Sequence, residues 1–97
     1  MPRYKIKIEY DGTKFVGWQY QKNGLSIQEI IQKAIFKFSG EKIIIFGAGR
    51  TDSGVHATGQ IAHFDLKKKI KKKNFILGVN QYIGKNPVTV LNIKKVN

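Results

Sequence analysis

The densest cluster of chemically capable residues runs Gly47-Ala-Gly-Arg-Thr-Asp-Ser-Gly-Val-His-Ala57. Within it Arg50 and Asp52 stand two apart, so in locally extended backbone their side chains project to the same side. An arginine beside an aspartate favours the ionised carboxylate. Gly47, Gly49 and Gly54 frame the pair and let a substrate approach the backbone closely. An ionised, accessible carboxylate can serve as nucleophile or base. The same pair also fits an aspartate that caps a turn and is held by its neighbour. The residue types alone leave both readings open, and the structural one is the simpler.

Other chemistries fail on spacing. A dinucleotide fingerprint needs glycine where Asp52 stands, and no Gly-Lys-Ser/Thr phosphate loop is present. A nucleophile elbow around Ser53 needs glycine where Thr51 stands. Ser53, Asp52 and His56 are close in sequence, which is no argument for a triad. His56 and His63 lie seven apart with no carboxylate at ligand spacing, so no metal site is expected. The chain has no cysteine, which removes disulfides, thiolate zinc sites and cysteine catalysis. The first octapeptide signature of an RNA-recognition motif is missing.

The elements that must position this segment can be read from periodicity. Tyr4 to Tyr10 alternates strictly, with Tyr4, Ile6, Ile8 and Tyr10 on one face, which predicts a half-buried strand. Asp11-Gly12 ends it as a turn. Ser26 and Glu29 form a capping box, and Ile27, Ile30, Ile31, Ala34, Ile35 and Phe38 follow at helical spacing up to Gly40, a natural stop. Lys42 to Phe46 is a short apolar, β-branched run and predicts a buried strand. Gly47 to Gly59 reads as a loop, at least in part. Gln60 to Leu66 predicts a strand with Ala62, Phe64 and Leu66 facing one way. Asn74 is expected to cap a helix reaching about Ile83, with Ile76, Val79 and Ile83 as its apolar face and Gly78 weakening it by up to ~1 kcal/mol. Val88 to Val96 is a last β-rich stretch. The order β-α-β-β-α-β predicts an α+β, ferredoxin-like single domain over residues 1–97, with two helices on one face of a four-stranded, mainly antiparallel sheet. That arrangement hosts many functions and selects none.

Charge narrows the partners. Eighteen bases against six acids give a formal net charge of +12 on 97 residues, and every base except Arg3 and Arg50 is lysine. Such a domain suits a polyanion, and lysine, a point charge, suits phosphate contact rather than planar, sequence-reading recognition. An AT-rich coding sequence would also enrich lysine, isoleucine and asparagine together. Lys67, Lys68, Lys69, Lys71, Lys72 and Lys73 form a run interrupted by Ile70; it reads as a solvated segment and a set of candidate non-specific phosphate contacts. The longest apolar stretch, Ile43 to Gly49, is far short of the ~20 residues that span a bilayer, so no membrane partner is expected. The N-terminus lacks the apolar core of a signal peptide, and a reducing, cytoplasmic setting is the expectation.

Gly49-Arg50-Thr51-Asp52-Ser53-Gly54-Val55-His56-Ala57 with Gly59-Gln60 closely resembles the active-site motif of the tRNA pseudouridine synthase A family. Tyr10-Asp11-Gly12-Thr13, Phe15, Gly17-Trp18-Gln19 and Gln21 resemble that family's first motif. Ser26-Ile27-Gln28 and Phe64-Asp65 also fit. The matches are in order over nearly the whole chain and correspond to the N-terminal half of the family.

The resemblance implies isomerisation of uridine to pseudouridine in the anticodon arm of tRNA, without cofactor or metal. It implies that Asp52 is the catalytic carboxylate and that Arg50 enters the RNA stack as the target base flips. Gly49, Thr51, Ser53, Gly54 and His56 would support that loop. Tyr10 and Trp18 are read as core residues, with base stacking as the alternative. Family members carry a second ferredoxin-like half, which supplies a stacking tyrosine and much of the RNA surface, and the full-length family is expected to be homodimeric. For the single half matched here the expectation is an inactive, self-associating fragment. A non-catalytic, basic RNA-binding module on the same scaffold is the alternative.

Overall fold

The computed structural model describes residues 2–10, 26–47, 57–86 and 88–96. The alternation at the N-terminus becomes strand β1 (Arg3–Tyr10), whose Tyr4, Ile6, Ile8 and Tyr10 are buried while the residues between them are exposed. Helix α1 (Ile27–Ser39) begins where expected. The Ser26 hydroxyl accepts the Glu29 N–H at 3.1 Å, as an N-cap should. The helix ends at Gly40, which adopts the left-handed conformation (φ 79°) that only glycine takes without cost. Its apolar stripe of Ile27, Ile30, Ile31, Ala34 and Ile35 is buried.

The strand expected over Lys42 to Phe46 forms only at its end, as β2 (Phe46–Gly47). The cause lies on α1. Ile45 donates its N–H to Gln32 Oε1 at 3.0 Å, and its carbonyl accepts from Gln28 Nε2 at 3.1 Å. Ile45 is fully buried, so these groups need partners, and helix side chains supply what a ladder otherwise would. Hydrophobic patterning cannot register this exchange of partners.

Strand β3 (Ala57–Asp65) starts three residues earlier than expected, because β1 is long enough to pair with it. Tyr10 faces Ala57 and Glu9 faces Thr58, but Ile8 faces Gln60, so the register shifts and Gly59 is the extra residue of a bulge. Ala62, Phe64 and Leu66 are buried, as their alternation predicts.

Helix α2 (Lys72–Ile83) departs most from expectation. It starts at Lys72 rather than after Asn74, and its N-cap is Lys71, which offers no capping hydrogen bond. Its buried positions are Phe75, Val79 and Ile83, with Ile76 only partly covered. A Cβ on Gly78 would fall 2.5 Å from the Phe38 ring, so this glycine is a point of close approach between the helices. The Phe38 ring in turn meets Phe75 edge-on at 5.5 Å.

Strand β4 (Val88–Val96) closes the sheet, whose order is β2-β3-β1-β4 with every pairing antiparallel. The chain is an α+β fold with the ferredoxin-like order of elements. Among the described residues the core, built from β1, α1, β3, α2 and β4, lies between the helices and the face of the sheet they cover.

Candidate functional site

The catalytic segment expected from the sequence, with Gly49, Arg50, Thr51, Asp52, Ser53, Gly54 and His56, lies outside the described residues, as does Trp18. What the structure gives is the frame on both sides of it. The chain reaches the segment from β2, and β2 is set by the two glutamines of α1 that hold Ile45. It continues from the segment into β3 at Ala57, opposite Tyr10. The Gly59 bulge falls two residues further on, and bulges commonly re-aim the strand beside a site.

The ends of the two motifs meet. The Tyr10 hydroxyl donates to Gln60 Oε1 at 2.6 Å, and the Tyr10 side chain is buried. Tyr10 is therefore a core residue with a polar tip satisfied by the second motif, rather than a free platform for a base. Phe64 stacks on Tyr4 (5.9 Å) and on Phe75 (5.9 Å), so it too belongs to the core.

The face of the sheet opposite the helices, which no described residue covers, carries a row not singled out from the sequence. Across the strands, Phe46 pairs with His63, His63 with Lys5, and Lys5 with Lys94. The Phe46 and His63 rings stack with centroids 5.4 Å apart and planes 23° apart, and Phe46 remains 54% exposed. Aromatic surface beside ammonium groups is the composition that holds single-stranded nucleic acid. Alternation in β1 and β3 places Lys5 and His63 outward, but their alignment with Phe46 and Lys94 depends on register, which no local pattern specifies.

Electrostatics elsewhere is set by few carboxylates. Arg3 Nε donates to Asp65 Oδ1 at 2.9 Å, and this hydrogen bond holds the Asp65 carboxyl below its ordinary range. Asp65 is thus an ion-pair partner at the end of the sheet away from Ala57. Glu41 accepts the backbone N–H groups of Lys67 (2.9 Å) and Lys68 (3.1 Å), and its carboxyl is lowered chiefly by the first of these bonds. Lys67, Lys68, Lys69, Lys71, Lys72 and Lys73 are all exposed. Among the described residues no group of three His, Cys, Asp or Glu could hold a metal ion, and no helix is long and apolar enough to cross a membrane.

Comparison with known proteins gives consistent matches. A family model described as tRNA pseudouridine synthase matches residues 6–93. A tRNA pseudouridine synthase A of Parvibaculum lavamentivorans is 47% identical over 96 residues, covering 99% of this chain and 39% of that protein. A protein of the same name from Ehrlichia ruminantium is 50% identical over 96 residues, covering 98% of this chain and 39% of that protein. The chain spans about two fifths of the length of these relatives.

Proposed function

Because the chain belongs to the tRNA pseudouridine synthase family, we propose that it contributes the catalytic carboxylate of a tRNA uridine isomerase, and that this carboxylate is Asp52. The observation that carries the reading is the uninterrupted Gly49–Ala57 motif with Asp52 at its centre. The reaction is an isomerisation. The C–N bond between base and sugar breaks, the base turns over and a C–C bond forms, so no atom is gained or lost. Asp52 acts as nucleophile or base in that exchange. Arg50 takes the place of the flipped nucleotide in the stack and offsets a cost of a few kcal/mol for unstacking. Gly49, Thr51, Ser53, Gly54 and His56 shape the loop that presents both. The Phe46–His63–Lys5–Lys94 row contacts RNA by stacking and by charge.

The finer parts of the reading are the anticodon arm as target, a homodimeric full-length enzyme acting in the cytoplasm, and the insufficiency of these 97 residues for turnover. A further structural partner is part of it: β4 pairs on one side only among the described residues, and its outer edge is open to another strand. The alternative, a basic RNA-binding module without catalysis, is favoured for the isolated chain by its charge and by its two-fifths coverage of the relatives.

The test is pseudouridine formation on an unmodified tRNA transcript. The chain is assayed alone and with the remaining portion of a relative added in trans. Turnover on mixing, abolished by Asp52→Asn with the urea midpoint of this chain unchanged, supports the proposal. Turnover by Asp52→Asn within tenfold of the unsubstituted chain overturns Asp52 as the catalytic group. RNA binding without turnover in every mixture favours the binding module.

A further inference from the structure

The lysine run is not one uniform solvated stretch. Two of its members, Lys69 and Lys72, line an open cavity of about 300 Å³ together with Lys95 of β4, over Tyr4, Ile70 and Ile93. The three ammonium-bearing side chains come from the β3–α2 connection, the first residue of α2 and the far edge strand, and the fold brings them together. Lys95 is the cross-strand partner of Tyr4. Each of these lysines is exposed, and none has a carboxylate partner among the described residues.

We propose that this cavity is a phosphate-binding site that grips the RNA backbone. The distribution of negative charge supports it. Among the described residues Asp65 is occupied by Arg3, Glu29 by Lys33, and Glu41 by the backbone N–H groups of Lys67 and Lys68. Glu9 lies at the other end of β1, opposite Thr58. No carboxylate among the described residues lines the cavity, so three like charges face it uncompensated, and an anion relieves their repulsion.

Helix α2 adds to the same field. It begins at this cavity with no side-chain cap and no acidic residue in its first turn. Its free first-turn N–H groups and the positive end of its dipole favour an anion there. Tyr4, Ile70 and Ile93 line the cavity beside the three lysines. Lysine rather than arginine at all three positions suits positioning on phosphate without reading sequence.

The cavity is distant from Ala57, where the chain re-enters the sheet after the Asp52 segment. Tyr4 and Tyr10 are six residues apart on β1, roughly 20 Å at strand spacing, and Ala57 enters opposite Tyr10. The cavity anchors RNA at about that distance from Ala57. That RNA is the polyanion rests on the function proposed above; the convergence of charge does not.

The experiment compares two charge-matched variants of the 97-residue chain. One is Lys69→Gln/Lys72→Gln/Lys95→Gln; the other is Lys67→Gln/Lys68→Gln/Lys73→Gln, whose residues belong to the same run but do not line the cavity. Binding to an unmodified tRNA transcript is measured as a function of salt, with urea midpoints confirming that both variants fold. The cavity variant should show a log K against log salt slope shallower by about 0.7–0.9 for each phosphate that is no longer neutralised, and the control less than half that change. Equal changes in the two variants, or no RNA binding by the unsubstituted chain, overturn the proposal. In a second arm, the amide resonances of Lys72, Lys73 and Asn74 are followed on adding the transcript or inorganic phosphate. Shifts with the transcript that vanish in the cavity variant support it. Shifts with inorganic phosphate alone assign the site to a free phosphate and overturn the RNA assignment. Neither arm measures turnover, so a failure of Asp52 catalysis and a failure of this site are read separately.

Discussion

The two helices lie on the same face of one sheet, yet they are specified in different ways. Helix α1 carries its own instructions: a serine cap, a continuous apolar stripe and a left-handed glycine stop. Helix α2 carries few of them. Its N-cap is a lysine without a capping bond, its first turn holds no acid, and its middle contains Gly78. It is held by what it touches, with Phe75 between Phe38 and Phe64, and with Asn80 exchanging two hydrogen bonds with the Val90 backbone at 2.8 and 3.0 Å. The difference follows the functional division. The self-specified helix sets Ile45 and β2, and through them the entry to the Asp52 segment. The tertiary-specified helix leaves its uncapped, positive end facing the lysine-lined cavity. A capping acid there would stabilise the helix and would also neutralise the field that attracts phosphate.

The largest effect is expected where α1 holds the approach to β2. Gln32→Leu removes the acceptor for the buried Ile45 N–H, and an unpaired buried donor costs about 1–3 kcal/mol. The urea midpoint should fall accordingly, and the stacking of Phe46 on His63 should loosen, visible as averaging of their resonances. An unchanged midpoint would mean that Ile45 finds another partner and that α1 does not set the entry to the segment.

A smaller effect sharpens the contrast between the helix starts. Ser26→Ala should cost α1 about 1 kcal/mol. Lys71→Ser should have the opposite sign, because Lys71 already holds the extended backbone of an N-cap (φ −91°, ψ 133°) and lacks only the acceptor. Urea melts of both variants check it. If Lys71→Ser also destabilises, the start of α2 is set by something other than its missing cap.

Much of the fold is legible in the sequence, and the exceptions have physical causes. The alternation of β1, the cap and stop of α1, and the order of elements are local signals that tertiary structure does not override. The strand expected from Lys42 fails because Ile45 bonds to glutamine side chains seventeen and thirteen residues before it. The start of α2 is misplaced because Asn74 resembles a cap, whereas the chain turns into helix at an uncapped lysine. Gly78 reads as a weak point in a helix, and its real role, making room for Phe38, needs both helices to be seen. For the candidate site, the reactive residue types are conspicuous and their motif specific. The lysines that converge on the cavity are only partly visible, since Lys95 joins Lys69 and Lys72 solely through the pairing of β4 with β1.

The smallest effect concerns the tie between the two helices. Glu41, one residue past the stop of α1, accepts the N–H groups of Lys67 and Lys68 just before α2. These bonds favour the ionised carboxylate, so its pKa in the folded chain lies below the ordinary value of 4.5. A lowered folded pKa means that the tie is at full strength above 4.5 and is lost as pH falls through the lower, folded value. Because the carboxylate is exposed to solvent, the consequence is local rather than global. On acidification the Lys67 and Lys68 amide resonances should shift, and their exchange should quicken, in the range below 4.5. Asp65, held down by Arg3, titrates in the same direction, so acidification alone does not identify the group. Glu41→Gln does: it should abolish the titration of the Lys67 and Lys68 amides and leave that of Asp65 in place. If the two amides still titrate in Glu41→Gln, the carboxylate at the end of α1 is not what fastens the lysine segment, and the start of α2 is positioned by the sheet alone.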